Sequence, residues 1–95
     1  MKYVIYRGFS EESEQHVYQA AFFPGNAASQ KILGRYHADG LEVIRWGNAQ
    51  GIFVGKELDR VGHRSFKIIS DAVEEANNSG NLDIDGLVKK LNAVD

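Results

Sequence analysis

The stretch LEVIRWGNAQGIFVGKEL, residues 41–58, decides how this chain is read. Two apolar runs, 41–46 and 52–58, flank the joint Gly47-Asn48-Ala49-Gln50-Gly51. Val, Ile, Phe and Trp fit a pleated, half-buried surface, and a Gly/Asn-rich joint fits a chain reversal. The pattern predicts a β-hairpin at the centre of a small antiparallel sheet. In the first arm Leu41, Val43 and Arg45 alternate with Glu42, Ile44 and Trp46. In the second, Ile52, Val54, Lys56 and Leu58 alternate with Phe53, Gly55 and Glu57. Neither arm has a clean polar face. A sheet with one face in water alternates strictly, so both faces of this one need cover.

Moving outward, residues 2–9 open as a strand that is apolar on both faces, with Tyr3 and Ile5 on one side and Val4 and Tyr6 on the other. Residues 10–23 favour a helix, with Ser10 as N-cap and Glu11 and Glu12 at the positive end of its dipole. The rival reading returns residues 15–23 as a strand antiparallel to the first, because Val17, Tyr18, Phe22 and Phe23 suit a sheet. Pro24-Gly25 ends the segment either way. Asn26 is placed to cap a helix over 27–37, with Ala28, Ile32, Leu33 and Tyr36 on one stripe; the rival here pairs 31–36 with 41–46 as strands.

Beyond the hairpin, 59–64 reads as a polar connection broken by Gly62. Ser65 is placed to cap a helix over 66–78, striped by Phe66, Ile69, Val73 and Ala76. Asp83 caps a last helix over 84–93, with Leu87, Val88 and Leu91 on its apolar face. The expected fold is α+β: a small antiparallel sheet centred on the 41–58 hairpin and packed with two to four helices.

At 95 residues the chain fits one domain, 1–95. Its 43% hydrophobic and 25% charged residues are near the globular average, which argues against wholesale disorder. A formal net charge of −2 makes broad binding to nucleic acid or acidic membranes unfavourable, although a local basic patch can survive it. The chain contains no cysteine, so disulfides, thiolate metal sites and a cysteine nucleophile are excluded. The opening MKYVIYRGF is too short and too polar for a signal peptide or a membrane span, and the expected location is the cytoplasm.

Chemistry-bearing motifs are sparse. Arg60, His63, Arg64 and Lys67 gather where a helix begins, a place where free N–H groups and guanidinium forks suit an anion. The stretch is not a P-loop. Trp46 beside Arg45, with Phe53 across the hairpin, is a candidate partner-binding set, since Trp and Arg are enriched at interface hot spots. His16, His37 and His63 lack zinc-binding spacing, no serine lies in a nucleophile elbow, and the Glu11/Glu12/Glu14 and Glu74/Glu75 clusters read as solvated faces. No catalytic residue, metal or cofactor is therefore assigned. The expected function is a non-enzymatic interaction module that self-associates as a homodimer, or binds another protein, through a sheet face or edge. The alternatives are a nucleic-acid or phosphate-ligand binder using 60–67, and a small enzyme or ligand-binding protein with a pocket near His63, Arg45 or Tyr36 at an oligomer interface.

Overall fold

The structure is a computed structural model that describes residues 1–54 and 57–94. The elements in chain order are β1 (Lys2–Ser10), β2 (Gln15–Phe23), α1 (Ser29–Ala38), β3 (Glu42–Asn48), β4 (Phe53–Val54), β5 (Glu57–Leu58), α2 (Arg60–Ser79) and α3 (Ile84–Asn92). The fold is α+β, as the sequence predicts, with a three-stranded antiparallel sheet of order β2-β1-β3 and three helices. A separate two-stranded ribbon, β4 with β5, precedes α2. Gly55 and Lys56, which the sequence places in the second hairpin arm, lie outside the described residues.

The centre of the sheet is β1 and not the 41–58 stretch. Residues 41–46 do enter a strand, but its partner is β1, with Val4 opposite Trp46 and Tyr6 opposite Val43. Gly47 and Asn48, expected in the turn, extend β3, and Ala49 then donates to the carbonyl of Met1 at 2.9 Å. The reason lies in the N-terminal run. Tyr3, Val4 and Ile5 are all buried, and a strand apolar on both faces is best shielded with a neighbour on each edge.

That demand also settles residues 10–23. They return as β2 and not as the favoured helix, pairing in unbroken register from Lys2 opposite Phe23 to Ser10 opposite Gln15. The Ser10 side chain caps a turn: its Oγ accepts from Ser13 N at 3.4 Å. A nine-residue ladder outweighs one N-cap and a favourable dipole, each worth about 1 kcal/mol.

The helices sit on both sides of the sheet. Side chains at odd positions of β1 face α2 and α3; those at even positions face α1. On the first side Tyr3 and Ile5 join Ile69, Val73, Ala76, Leu82 and Leu87 in one core, and Ile5 and Ile69 are fully buried. Phe22 of β2 packs on Phe66 of α2, ring centroids 4.6 Å apart. On the other side α1 rests mainly over β3 and buries none of its own residues completely. The Tyr6 and Tyr36 rings meet there at 4.8 Å. The helix expected over 27–37 is thus present, but Ala28 and not Asn26 is its N-cap, without a side-chain bond.

α2 begins at Arg60, six residues before the predicted start. Asp59 is its cap, with Oδ1 accepting from Gly62 N at 2.6 Å, so the expected polar connection is the helix's first turn. Gly62 does not break the helix. It is buried where the backbone of Gly51 crosses: a Cβ added at Gly51 would collide with Gly62, and one added at Gly62 would press on Asp59 Oδ1, Leu58 Cβ and Gly51 Cα at 3.0, 3.1 and 3.2 Å. Ser65, predicted as the cap, lies inside the helix and is fully buried. α2 ends at Gly80, whose φ of 82° gives a left-handed C-cap. α3 keeps its predicted cap, Asp83, which accepts from Gly86 N at 3.0 Å.

Candidate functional site

An open sheet has two edges, and this one treats them differently. On the β2 side, Asn77 of α2 reaches across to the strand. Its Oδ1 accepts from Tyr18 N at 2.7 Å and its Nδ2 donates to Tyr18 O at 2.9 Å. A side-chain amide thereby takes the place that a neighbouring strand's peptide would take, and the edge is occupied at its middle. In the sequence Asn77 belongs to no motif that marks it as an edge device. Its position beside the Val73/Ala76 stripe is the one sign that it faces the sheet.

The β3 edge has no such cover. Among the described residues no backbone or side-chain group bonds to its outer side. Along it runs an open groove of about 930 Å³ between α1 and β3, lined by Leu33, His37, Leu41, Val43, Ile44 and Trp46 among others. Trp46 is 49% exposed, and its indole stands at the rim of this groove on the α1 side. The short α1 cannot cover a three-stranded face, and the β3 flank is what it leaves open.

The three residues expected to bind a partner do not form one patch. Arg45 and Trp46 are consecutive on a strand and point to opposite faces. Arg45 turns toward α2, where its Nε donates to Tyr3 Oη at 3.2 Å. Trp46 turns toward α1, opposite Val4. Phe53 is half-buried in the β4–β5 ribbon. Ile52 and Val54 of that segment, and Phe9 near the β1–β2 turn, are also exposed, but scattered surface hydrophobics are ordinary.

Arg60, His63, Arg64 and Lys67 do come together, though not around the helix N-terminus. Spacings of three and four place them on one exposed stripe of α2. The terminal N–H group of Gly62 is already taken by Asp59 Oδ1, so an anion there would displace a carboxylate. Lys67 is also shared with Asp71, at 3.0 Å on the exposed face. α3 runs back along α2, and Lys90 stands with Arg64 and Lys67 around an open recess floored by Ile68, Ala93 and Val94.

Tyr36 lines a recess on α1 with Phe23, Ile32 and Arg35, to which neither His63 of α2 nor Arg45, on the α2 side of the sheet, contributes. Burial first, and the neighbouring Tyr6 second, push the Tyr36 phenol above its ordinary value. Among the described residues no group of three or more His, Asp or Glu side chains lies close enough to hold a metal ion. Among the same residues no helix is long and apolar enough to cross a membrane.

No protein-family model, curated protein or solved structure matches the chain.

Proposed function

We propose that the protein is a non-enzymatic interaction module that takes an extended segment of a protein partner along β3. The observation that carries this reading is the difference between the two sheet edges. β2 is met at its middle by the Asn77 amide, whereas β3, among the described residues, offers unpaired backbone groups beside an apolar groove and a half-exposed tryptophan. Strand addition uses both features: backbone hydrogen bonds give affinity, and side-chain recesses along the strand give selectivity. Trp46 is the expected anchor, since large aromatics at the centre of a contact carry much of its energy. Trp46→Glu is expected to weaken partner capture by about tenfold or more while the circular dichroism spectrum is unchanged. Equal binding by Trp46→Glu and the parent protein would remove the β3 edge from consideration.

A second reading is favoured by the charges of α2. A helix is stabilised by acidic groups in its first turn and basic groups in its last, and α2 has neither. Of its basic stripe, Arg60 lies in the first turn at the positive end of the dipole, where a cation costs stability, beside the Asp59 carboxylate that caps the helix. A pattern that opposes the helix it sits on is reasonably retained for a ligand, here a phosphate-bearing one, met by Arg60, Arg64 and Lys67 with Lys90 alongside. Binding of inorganic polyphosphate would fall as salt rises and weaken on Arg64→Ala. Absence of binding even at low salt would count against it.

A further inference from the structure

We propose that the recess between α1 and the end of β2 binds a nucleoside monophosphate. This site lies on the flank of α1 away from the β3 groove and is separate from the basic stripe of α2, so it rests on neither reading above.

The shape comes from the helix packing. α1 sits mainly over β3, and a recess of about 550 Å³ is left along its other flank, beside the end of β2. Small-ligand sites run from about 300 to 1,000 Å³. Phe23 from the sheet and Ile32 and Tyr36 from the helix supply its apolar lining, and all three are half-buried. Tyr36 is already held by its ring contact with Tyr6 at 4.8 Å, so no ligand is needed to order it. Two aromatic side chains beside an aliphatic one favour a flat ring, because every base has a face that stacks.

The charges name the rest of the ligand. Lys31, Arg35 and Asp39 follow one another at four-residue intervals on the exposed side of α1 and line the same recess. Arg35 and Asp39 have the spacing of an ion pair, yet the only ion pair among the described residues joins Lys67 to Asp71. Arg35 suits the last turn of α1, but the outer two charges oppose the dipole. Lys31 is the third residue of the helix, near its positive end, and Asp39 is the C-cap at its negative end. Neither is explained by the stability of α1. Lys31 and Arg35 together present an ammonium and a guanidinium fork, which suit a phosphate. Asp39, one turn further on, is acceptor-only and suits sugar hydroxyls. From Lys31 to Asp39 the helix rises about 12 Å, a length that a base, sugar and phosphate together can span.

The test is an NMR titration of the full chain with AMP, GMP, CMP and UMP, and in parallel with the matching nucleosides and with inorganic phosphate. The expected result is saturable shifts of the Phe23 amide and of the amides of residues 31–39, reached at lower concentration with a nucleotide than with either fragment. Lys31→Glu and Arg35→Glu change exposed residues, and each is expected to raise the dissociation constant about tenfold or more. Lys31→Glu should also raise the melting temperature, because a carboxylate suits the helix start. Weaker binding by a more stable protein separates a ligand contact from damage to the fold. Absence of shifts with all four nucleotides overturns the proposal, and so does unchanged affinity in either variant. Shifts that inorganic phosphate reproduces at the same concentration, or shifts confined to α2, overturn it as well, since the ring or the recess then plays no part.

Discussion

Ser65 stands at the limit of what the sequence could reveal. A serine before an apolar stripe reads as a cap, and Ile69, Val73 and Ala76 of the expected stripe are buried, whereas Phe66 at its start is 41% exposed. The cap is Asp59, six residues earlier, and Ser65 is a core position whose Oγ has no hydrogen-bond partner among the described residues. A buried hydroxyl without a partner has lost its water and gained nothing in return. Ser65→Ala is therefore expected to raise stability by about 1 kcal/mol, read as a higher urea midpoint with an unchanged slope. A lower midpoint would show that the hydroxyl makes a contact that supports the helix. Gly62, read as a breaker, has the same lesson. Composition marks glycine as a place where the chain can turn, but only the crossing of Gly51 reveals that it is a place where two backbones touch.

At the scale of elements, three segments are legible from their apolar spacing, α1 despite a rival strand reading. β1, α1 and α3 fall near their predicted bounds, and Asp83 caps α3 as its sequence indicates. β2 is ambiguous in the sequence because Ser10, Glu11 and Glu12 signal a helix start while Val17 to Phe23 signal a strand, and local signals cannot show that β1 lacks a neighbour. The pairing of 41–46 was misjudged for the same reason. Alternation says that a run is a strand, not which strand it meets. The edge device could not be read either, since Asn77 and Tyr18 are far apart in sequence and the bonds between them form only when α2 lies over β2. Its importance is open to measurement. Asn77→Ala removes two bonds and is expected to cost about 1–2 kcal/mol. It also exposes the β2 edge, so the variant should form higher oligomers or aggregate at concentrations where the parent stays discrete. Light scattering checks the second effect apart from the first. A variant that loses stability but scatters no more than the parent would reduce Asn77 to a structural tie.

Across the α2–α3 layer the charges are partly sorted. Because α3 runs back along α2, Arg60, Arg64 and Lys67 lie toward one end of the helical layer and Glu75 and Asp83 toward the other, with Asp71 and Lys90 between them lining the recess at each end. For α3 this sorting agrees with the dipole, with Asp85 in its first turn and Lys89 and Lys90 in its last. For α2 it runs the other way, with no acidic residue in the first turn and no basic residue in the last. Two antiparallel helices have opposed dipoles, so one charge arrangement cannot suit both. A basic end shared by the pair can only be had at the expense of α2. The cost is measurable at the helix start. Arg60→Glu places a carboxylate where the dipole favours it and is expected to raise stability by about 0.3–1 kcal/mol at low ionic strength. The gain should shrink as salt is added, because the group is exposed and the Debye length falls to about 10 Å at 0.1 M. Urea titrations of both proteins at low and high salt provide the four midpoints needed. If Arg60→Glu is less stable than the parent at low salt, Arg60 makes a local contact worth more than the dipole, and the sorted charges need no ligand to explain them. If it is more stable and also loses polyphosphate binding, stability has been given up at this end of the molecule for the sake of an anion.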